Sequence, residues 1–443
     1  MTAKLPHPLV LLVGAVGVAA VLTWVLPAGE YDRRDDEATG RRVVVAGTYH
    51  PVEPAPVGPF GAIVALPRGL VEAADVIAVI LFVGGAWVVV DKLGTLGRLV
   101  GSLVRRFRSR GYLAIPVLSF FFASMGALEN MQEEIIPLVP VLLLLGRGLG
   151  FDAVVVVAMS LGAAMVGSAF GPTNPFQAGI AMKLAELPPV SGGALRLSMF
   201  LAGLILWTGW TMRYAAATRV APAEADAHDA HGASGKDVAI FVMLVAPMAA
   251  YVYGAMYLDW GFNELSAGFF VAGVLAGLIG GLGVGGTTLA YLDGMQSLLP
   301  AAVLVGIARS ISVVLADGRV IDTILDGLAT PLADAPAAAA ALLMIPVHAI
   351  IHVAVPSVSG QAVLTMPVLV PLSDLLDISR QVTVLAYQTG AGLTELLTPT
   401  NGALMAVLLA AGVPWGRWVR FAIGGVALAL GVGIVGILVA LGG

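Results

Sequence analysis

The stretches GPTNP, at Gly171–Pro175, and TPTNG, at Thr398–Gly402, place the same tripeptide Pro-Thr-Asn in very apolar surroundings. Proline removes a backbone donor and clashes with the preceding turn, so each stretch should interrupt a helix. Hydrocarbon cannot replace the lost hydrogen bonds, and irregular backbone at membrane depth persists where it lines a cavity or is buried in protein. We therefore predict two interrupted helices with free carbonyls and new helix ends. At either position alone, a proline kink with a satisfied asparagine is the simpler alternative.

The composition is that of a membrane protein. Hydrophobic residues make up 58% of the chain, charged residues only 12%, and the mean hydropathy is +0.94, which excludes a soluble globular domain. The chain has no cysteine, which excludes disulfides and thiolate metal sites. We predict an all-α polytopic membrane protein whose first apolar segment is a retained anchor, with a cleaved signal peptide as the alternative. The predicted spans are Leu9–Leu26, which is this first segment, Val76–Val90, Ala153–Ala169, Leu197–Met212, Val238–Leu258, Ala267–Leu282 and Phe421–Leu441.

Basic residues indicate the orientation. By the positive-inside rule, three clusters mark cytoplasmic loops and place the amino terminus inside and the carboxyl terminus outside a cytoplasmic (inner) membrane. The loops Gly29–Pro67, with a small β-hairpin suggested by RRVVVAGTYHPV, and Ala316–Ala335 are then outside. The polar stretch Ala221–Lys236 is predicted as a flexible cytoplasmic linker. The three clusters are Arg105, Arg106, Arg108 and Arg110, then Arg213 and Arg219, then Arg417 and Arg420.

An internal duplication organises the chain. Ile115-Pro116-Val117 recurs as Ile345-Pro346-Val347, at a similar distance upstream of each Pro-Thr-Asn. Each copy then has a polar break, a second apolar arm, a short turn and the interrupted helix. The flanking charges predict re-entrant hairpins that enter from opposite faces, hence inverted repeats, the signature of secondary transporters. The predicted units are residues 1–220 (hairpin 112–147, broken helix 152–184), the linker 221–236, and 237–443 (hairpin 336–379, broken helix 381–411), with about nine crossings plus the two hairpins.

The two breaks are candidate ion and substrate sites. Thr173, Asn174, Thr400 and Asn401 offer oxygens that could ligate Na⁺, and half-helix N-termini attract anions. Glu395 lies about one turn before the second break, and we count it as a coupling-ion candidate; a packed, protonated or paired glutamate is the alternative.

The hairpin breaks supply the other candidates. Glu129, Asn130, Glu133 and Glu134 lie in the first break, GALENMQEE, and carboxylates within a membrane are functional by default. They suit a cation, a proton relay or both; glutamates in water at the interface are the alternative. The second break, PSVSGQ, is neutral and suits the polar groups or carboxylate of a substrate through Ser357, Ser359, Gly360 and Gln361.

Three further residues interrupt apolar runs. Arg309 is either a partner for a substrate carboxylate or a salt-bridge partner of an intramembrane acid such as Glu133. His348 and His352 have a metal-like spacing without HExxH context or a third ligand, so we predict no metal site. A proton-linked or hydrogen-bonding His352 is the preferred reading.

Four stretches resemble the YfcC-type members of the four-carbon-dicarboxylate anaerobic carrier family, within the ion transporter superfamily. The opening residues 7–33 share the resemblance, which covers nearly the whole chain. The four stretches are GALENMQEEIIPLVPV (126–141), GPTNPFQAGIA (171–181), PSVSGQAVLTMPVLVPLSDLLDISRQVTVLAYQTG (356–390) and PTNGALMAVLLAAGVPWGRWVRF (399–421).

The resemblance implies a homodimeric secondary transporter of elevator type, with a fixed scaffold and a moving domain. It implies site roles for Glu133, Glu134, Asn174, Ser359, Gly360, Gln361, Thr400 and Asn401. The subgroup is usually described as basic amino-acid antiporters, while relatives carry dicarboxylates or peptide-like acids. Two departures occur: Glu129-Asn130 replaces small or aromatic residues, and Ala391 stands where an acid is expected. The added acid favours a cationic substrate, and the missing acid leaves the ion coupling open.

We favour a secondary active transporter of a basic amino acid, coupled to Na⁺, H⁺ or exchange. The first-tip acids would bind the substrate cation, and the second tip with a half-helix N-terminus its carboxylate. The alternative is a Na⁺- or H⁺-coupled carrier of di- or monocarboxylates that uses Arg309. An intramembrane enzyme is less favoured, since no HExxH, GxSxG or Walker A motif occurs. A channel is less favoured, since hairpins that meet from opposite faces indicate alternating access. We expect a small-molecule substrate and a lipid membrane as partners, with no cofactor, no nucleic acid and no enzymatic activity.

Overall fold

A computed structural model describes residues 7–37, 41–107, 111–188, 190–221, 233–258 and 260–442. The predicted fold class is confirmed at its coarse level: these residues are mostly helical, and ten of their helical segments are long and apolar enough to cross a membrane. Most of the linker Ala221–Lys236, Lys4 and residues 108–110 of the basic cluster lie outside the described residues.

In the first half of the chain, one interrupted helix is built from α7, a π-helical segment Ala158–Gly162 and α8. The elements are α1 (Pro8–Val25), β1 (Gly29–Glu30), β2 (Arg33–Asp36), β3 (Arg41–Val44), β4 (His50–Pro51), α2 (Pro59–Glu72), α3 (Ala74–Lys92), α4 (Thr95–Phe107), a 3₁₀ turn (Gly111–Leu113), α5 (Ala114–Glu129), a 3₁₀ segment (Glu133–Leu138), α6 (Val139–Gly148), α7 (Ala153–Val157), α8 (Ala163–Phe170), a π segment (Pro175–Gly179), α9 (Ile180–Leu184) and α10 (Gly193–Ala217).

The second half is helical throughout its described elements. They are α11 (Gly235–Tyr257), α12 (Phe262–Gly280), α13 (Gly283–Asp317), α14 (Ile321–Ala329), a 3₁₀ turn (Thr330–Leu332), α15 (Ala337–Ala354), α16 (Val358–Leu375), α17 (Arg380–Thr394), α18 (Gly402–Ala410) and α19 (Trp415–Gly442).

The same series of elements occurs twice. A first hairpin, α5 and α6, precedes an interrupted helix, α7–α8 and α9, and then α10; a second hairpin, α15 and α16, precedes α17, α18 and α19. We call residues 129–134 the first tip, 356–361 the second tip, 171–174 the first break and 395–401 the second break. In both copies the first arm packs on the first half of the interrupted helix, α5 on α8 and α15 on α17. The second half of each interrupted helix packs on the hairpin of the other copy. Helix α9 packs on α16, and α18 packs on the 3₁₀ segment Glu133–Leu138 and on α6.

Glycine permits the close packing within each copy. A Cβ on Gly126 of α5 would collide with the backbone carbonyl of Ala164 on α8, and a Cβ on Gly390 of α17 with the carbonyl of Ile345 on α15. The first arm can therefore approach the interrupted helix at backbone distance, as small residues allow in membrane bundles.

A second group of helices, α1 to α3 with α11 to α13, packs together around α13. At 35 residues, α13 is about 50 Å long, more than a bilayer requires. Our predicted spans omit it, because Asp293, Gln296 and Ser297 divide its apolar run. Both groups draw helices from both halves of the chain, so the sequence halves do not form separate bundles.

The two loops predicted to lie outside contact each other. Strand β1 pairs with β4 (Gly29↔Pro51) and β2 with β3 (Arg33↔Val44), both antiparallel. The hairpin therefore uses residues 33–36, and the loop ends at α2 rather than at Pro67. Ala316–Ala335 is not an open loop but contains α14, whose Asp322 accepts hydrogen bonds from Tyr31 N and the Arg33 guanidinium, each at 2.9 Å. Burial raises the pKa of Tyr31, and its hydrogen bond to Asp326 raises it further.

Candidate functional site

A cavity of about 410 Å³ lies where the two groups of helices meet. This volume is within the range of about 300–1,000 Å³ that is typical of small-molecule sites. Its wall comes from the α2–α3 junction, α13, the first tip, the second tip and the second break. The cavity therefore brings together the two hairpin tips, which the sequence places more than half the chain apart.

The cavity wall is strongly acidic. Arg309 is the one basic side chain among its lining residues in the described part of the chain, and it pairs with an acid, Nε to Glu72 Oε2 at 3.1 Å. If all the lining carboxylates were ionised, the cavity wall would carry a large net negative charge. The cavity should therefore attract cations and repel anions. The lining carboxylates are Glu72, Asp75, Glu129, Glu133, Glu134 and Glu395.

Glu129 is the most exceptional of these acids. It ends α5, and Asn130 follows in the left-handed conformation (φ 60°), which asparagine tolerates, so that the chain reverses at this point. Glu129 is only 6% exposed, and among the described residues neither of its carboxylate oxygens has a hydrogen-bond partner. A buried carboxylate without a partner is costly, and a bound cation would remove that cost.

Glu133 and Glu134 begin the 3₁₀ segment after the first tip. The Gln132 backbone N–H donates to Glu134 Oε2 at 3.1 Å, which holds this side chain against the turn. Glu134 is buried, whereas Glu133 is half-buried. Both reach the cavity, so the first tip presents three carboxylates to it.

Gln132 connects the first tip to the second break. Its Nε2 donates to Glu395 Oε2 at 2.6 Å, and its Oε1 accepts from Asn401 Nδ2 at 3.5 Å. Glu395 Oε1 in turn lies 3.6 Å from His352 Nε2. A buried polar chain therefore begins at the cavity wall and runs behind it.

Two histidines and Gln361 continue that chain. His352 Nδ1 lies 2.8 Å from Gln361 Oε1, and Gln361 Nε2 donates to the backbone oxygen of His348 at 2.8 Å. All three side chains are fully buried, and none lines the cavity. The described residues contain no group of three or more His, Asp or Glu side chains able to hold a metal ion.

The two breaks differ in what their asparagines face. Asn174 Oδ1 accepts from Phe176 N and Gln177 N, and Asn401 Oδ1 accepts from Leu404 N, so each asparagine caps the helix that follows its break. Capping engages the side-chain oxygens of the two asparagines, which the sequence suggested as ion ligands together with those of Thr173 and Thr400.

The first break lies outside the cavity lining, with Asn174 packed behind the first tip and Thr173 exposed elsewhere. Asn174 Nδ2 donates to Gly126 O, Asn130 Oδ1 and Ser168 Oγ at 2.9–3.1 Å, and Thr173 Oγ1 donates to Ala127 O at 3.1 Å. Asn174 is fully buried. The second break instead contributes Thr400, Asn401 and the first turn of α18 to the cavity lining.

The second tip contributes the N-terminus of α16. Ser357 Oγ accepts from Gly360 N at 3.2 Å and caps the helix, and Ser357, Val358 and Ser359 line the cavity. Gly360 and Gln361 lie outside the lining. Two helix N-termini, those of α16 and α18, therefore reach a cavity whose charged side chains are mostly acidic.

The family model for C4-dicarboxylate anaerobic carriers (DcuC) matches residues 5–442. The chain belongs to the C4-dicarboxylate anaerobic carrier family. The predicted resemblance is thus confirmed, and this carrier is a multi-pass membrane transporter, in agreement with the prediction against an enzyme.

Two curated relatives match this carrier over nearly its full length. YfcC of Escherichia coli (strain K12), named as a proposed basic amino acid antiporter, is 29% identical over 94% of this chain and 92% of its own length. An uncharacterized protein of Haemophilus influenzae (strain ATCC 51907 / DSM 11121 / KW20 / Rd) is 24% identical over 95% of this chain and 94% of its own length.

Two solved structures align with the carrier along most of its length. The YdaH transporter of Alcanivorax borkumensis has a TM-score of 0.46 at 20% identity, covering 99% of this chain and 98% of that one. MtrF of Neisseria gonorrhoeae, described as one of a class of antimetabolite efflux pumps, has a TM-score of 0.41 at 18% identity, covering 99% and 95%.

The cavity of this carrier gathers part of the predicted site set. Glu129, Asn130, Glu133, Glu134, Ser357, Ser359, Glu395, Thr400, Asn401 and Arg309 line it, whereas Thr173, Asn174, Gly360, Gln361 and His352 do not. Arg309 pairs with Glu72 and not with Glu133.

Sequence reasoning missed four polar cavity residues, which are Glu72, Asp75, Gln132 and Tyr251. Glu72 and Asp75 end α2 and begin α3, within a stretch that lacks a repeat partner, so no motif singled them out. Gln132 lies inside the motif GALENMQEE, where the sequence analysis selected Asn130 and the three glutamates as site residues but not this amide. An amide between carboxylates in a predicted re-entrant tip is the signal that could have found it.

Proposed function

We propose that this carrier is a secondary active transporter of basic amino acids in the cytoplasmic membrane. The observation that carries the proposal is the acidic cavity, with six carboxylates and one arginine that is already paired. A substrate with an α-ammonium and a cationic side chain brings two positive charges to this wall. Glu129, which has no other described partner, and the Glu133–Glu134 pair are the proposed ligands of those cations.

The substrate carboxylate has a separate place in this proposal. The N-termini of α16 and α18 both reach the cavity, and helix N-termini stabilise anions through free N–H groups and the helix dipole. The Ser359 and Thr400 hydroxyls lie beside these ends and can donate further hydrogen bonds. A zwitterionic amino acid would thus place its carboxylate toward the second tip and its cations toward the first.

A dicarboxylate fits the same chamber less well. Two substrate carboxylates would face six protein carboxylates, and like-charge juxtaposition costs several kcal/mol. Arg309 would have to leave Glu72 to compensate a single anionic group. Dicarboxylate transport would therefore require several of the lining acids to be protonated.

For the transport cycle we propose inverted repeats and an elevator movement. The repeated hairpin and interrupted-helix series, with α9 and α18 packed on the opposite hairpins, supports a transport unit that moves as a body. The α1–α3 and α11–α13 group would be the scaffold, and the long α13 its wall toward the cavity. A homodimer, a cytoplasmic amino terminus and an external carboxyl terminus remain parts of this proposal.

The test is a thermal-stability screen of the purified carrier in detergent. Arginine, lysine, ornithine, succinate and leucine are each added with Na⁺ or with choline. A ligand of the native state stabilises it by about 2.7 kcal/mol at roughly 100 times Kd, so a basic amino acid should raise Tm and leucine should not.

Variants connect any stabilisation to the cavity. We expect Glu133→Gln and Glu134→Gln each to remove most of the Tm increase given by arginine, because each deletes a carboxylate at the cation site. Glu53→Gln, in the exposed loop before α2, is the matched control and should keep the increase. Stabilisation by succinate alone would reject the basic amino acid assignment.

A further inference from the structure

The buried polar chain behind the cavity has a hydrogen-bond direction that can be derived from its first end. Leu404 N–H donates to Asn401 Oδ1 at 2.9 Å, so the Asn401 amide turns its Nδ2 toward Gln132 Oε1. Gln132 must then present its Nε2 to Glu395 Oε2, at 2.6 Å. Glu395 Oε2 is therefore satisfied as an acceptor, and the direction of every bond up to it follows from one backbone N–H.

The hydrogen-bond directions at the other end of the polar chain can be derived in the same way. Gln361 Nε2 donates to the backbone oxygen of His348 at 2.8 Å, which turns Gln361 Oε1 toward His352 Nδ1 at 2.8 Å. An amide oxygen can only accept, so Nδ1 of His352 carries a hydrogen. The remaining ring nitrogen, Nε2, is then a lone-pair acceptor whenever the imidazole is neutral.

Where the two ends of the polar chain meet, both facing atoms are hydrogen-bond acceptors. His352 Nε2 and Glu395 Oε1 are 3.6 Å apart, His352 is fully buried and Glu395 only 4% exposed. No described residue donates a hydrogen bond to Nε2. One added proton converts this contact from two opposed lone pairs into a hydrogen-bonded pair, whichever atom carries it.

We propose that the Glu395–His352 pair is the proton site of the carrier, and that this proton is exchanged for the cationic substrate. Glu395 lines the cavity while His352 lies behind it, so the site contacts the substrate chamber through one carboxylate. The inference rests on the proposed function, because it takes the substrate to be a cation. It makes the carrier a proton/basic amino acid antiporter.

The surrounding charges give the exchange its physical reason. The charged or titratable groups around the pair are Glu129, Glu133 and Glu134 on the first tip, Glu72, Asp75, Arg309 and Tyr251 elsewhere on the cavity wall, His348 one turn along α15, and Tyr387, whose ring packs against His348. A substrate cation that enters the chamber adds positive charge beside Glu395. The proton then leaves to water, its bonding electrons stay on the nitrogen or oxygen, and the carboxylate faces the new cation.

Isothermal calorimetry tests the exchange directly. Arginine is titrated into the purified carrier in two buffers of different ionisation enthalpy, which yields the number of protons released on binding. We expect the wild type to release about one proton more per bound arginine than either variant of the pair. Glu395→Gln supplies an amide hydrogen where the proton would sit and keeps an acceptor for Gln132; His352→Gln removes the second partner.

The matched control is His348→Gln, which replaces another fully buried histidine on the same helix and keeps the backbone oxygen that orients Gln361. It should release as many protons as the wild type. Wild-type proton release from both Glu395→Gln and His352→Gln, or an equal loss in His348→Gln, would overturn the proton site.

Failure of the proton site and failure of the proposed substrate give different results. If arginine binds and both variants release as many protons per bound arginine as the wild type, the proton site is rejected and the cationic substrate is retained. Succinate binding in place of arginine, with a proton taken up by the wild type and not by the variants, rejects the cationic substrate and retains the proton site.

Discussion

Glu129→Gln should change ligand affinity and stability in opposite directions. Glu129 is 6% exposed, and its carboxylate has no hydrogen-bond partner among the described residues. An unsatisfied buried neutral group costs about 1–3 kcal/mol and an unpaired buried charge costs more, so a neutral amide should raise the Tm of the ligand-free carrier. If the carboxylate pairs with the substrate cation, losing it costs about 2–5 kcal/mol of binding, or about 30-fold to 4,000-fold in Kd.

The assay pairs ligand-free Tm with arginine Kd from calorimetry. Glu72→Gln is the control within the cavity, because it removes the same formal charge from an acid that is 42% exposed and already paired with Arg309. We expect its arginine Kd to rise by far less. A Glu129→Gln carrier with unchanged Kd, or with a lower ligand-free Tm, would refute the assignment of Glu129 as an unpaired cation ligand.

Three further changes probe other parts of the structure. Gly126→Ala should lower Tm and yield, because overpacking typically costs about 1–3 kcal/mol and its Cβ meets the α8 backbone; fluorescence-detected size exclusion checks this, and a wild-type profile would contradict it. Asn174→Ala should lose transport together with Tm, since it removes the cap at Phe176 and three donated bonds. Arg309→Gln should cost at most about 1 kcal/mol of stability yet tighten arginine binding in calorimetry by leaving the cavity more negative; weaker binding would contradict the cationic substrate.

The interrupted helices were predictable because their cause is local. A proline followed by a helix-capping asparagine stops one helix and begins another whatever surrounds it, and both Asn174 and Asn401 cap as local chemistry requires. What each break faces is decided by packing. The same tripeptide lies outside the cavity lining in one copy and contributes Thr400 and Asn401 to it in the other, and no pattern in the two stretches distinguishes these outcomes.

The cavity itself was only partly predictable. Glu129, Glu133 and Glu134 stand out because carboxylates are rare in apolar stretches. Glu72 and Asp75 instead sit at a junction between two helices, where a charged residue has no diagnostic value. Gln132 and the pairing of Glu395 with His352 depend on contacts between distant segments, which only the folded chain specifies.

Counterflow in proteoliposomes tests the central claim most directly. Vesicles that contain the carrier and a high concentration of internal lysine are diluted into labelled arginine, and label uptake is followed over time. We predict a transient accumulation of arginine above its external concentration, absent when succinate replaces lysine inside. Accumulation of labelled succinate against internal succinate, with no arginine uptake, would contradict the account.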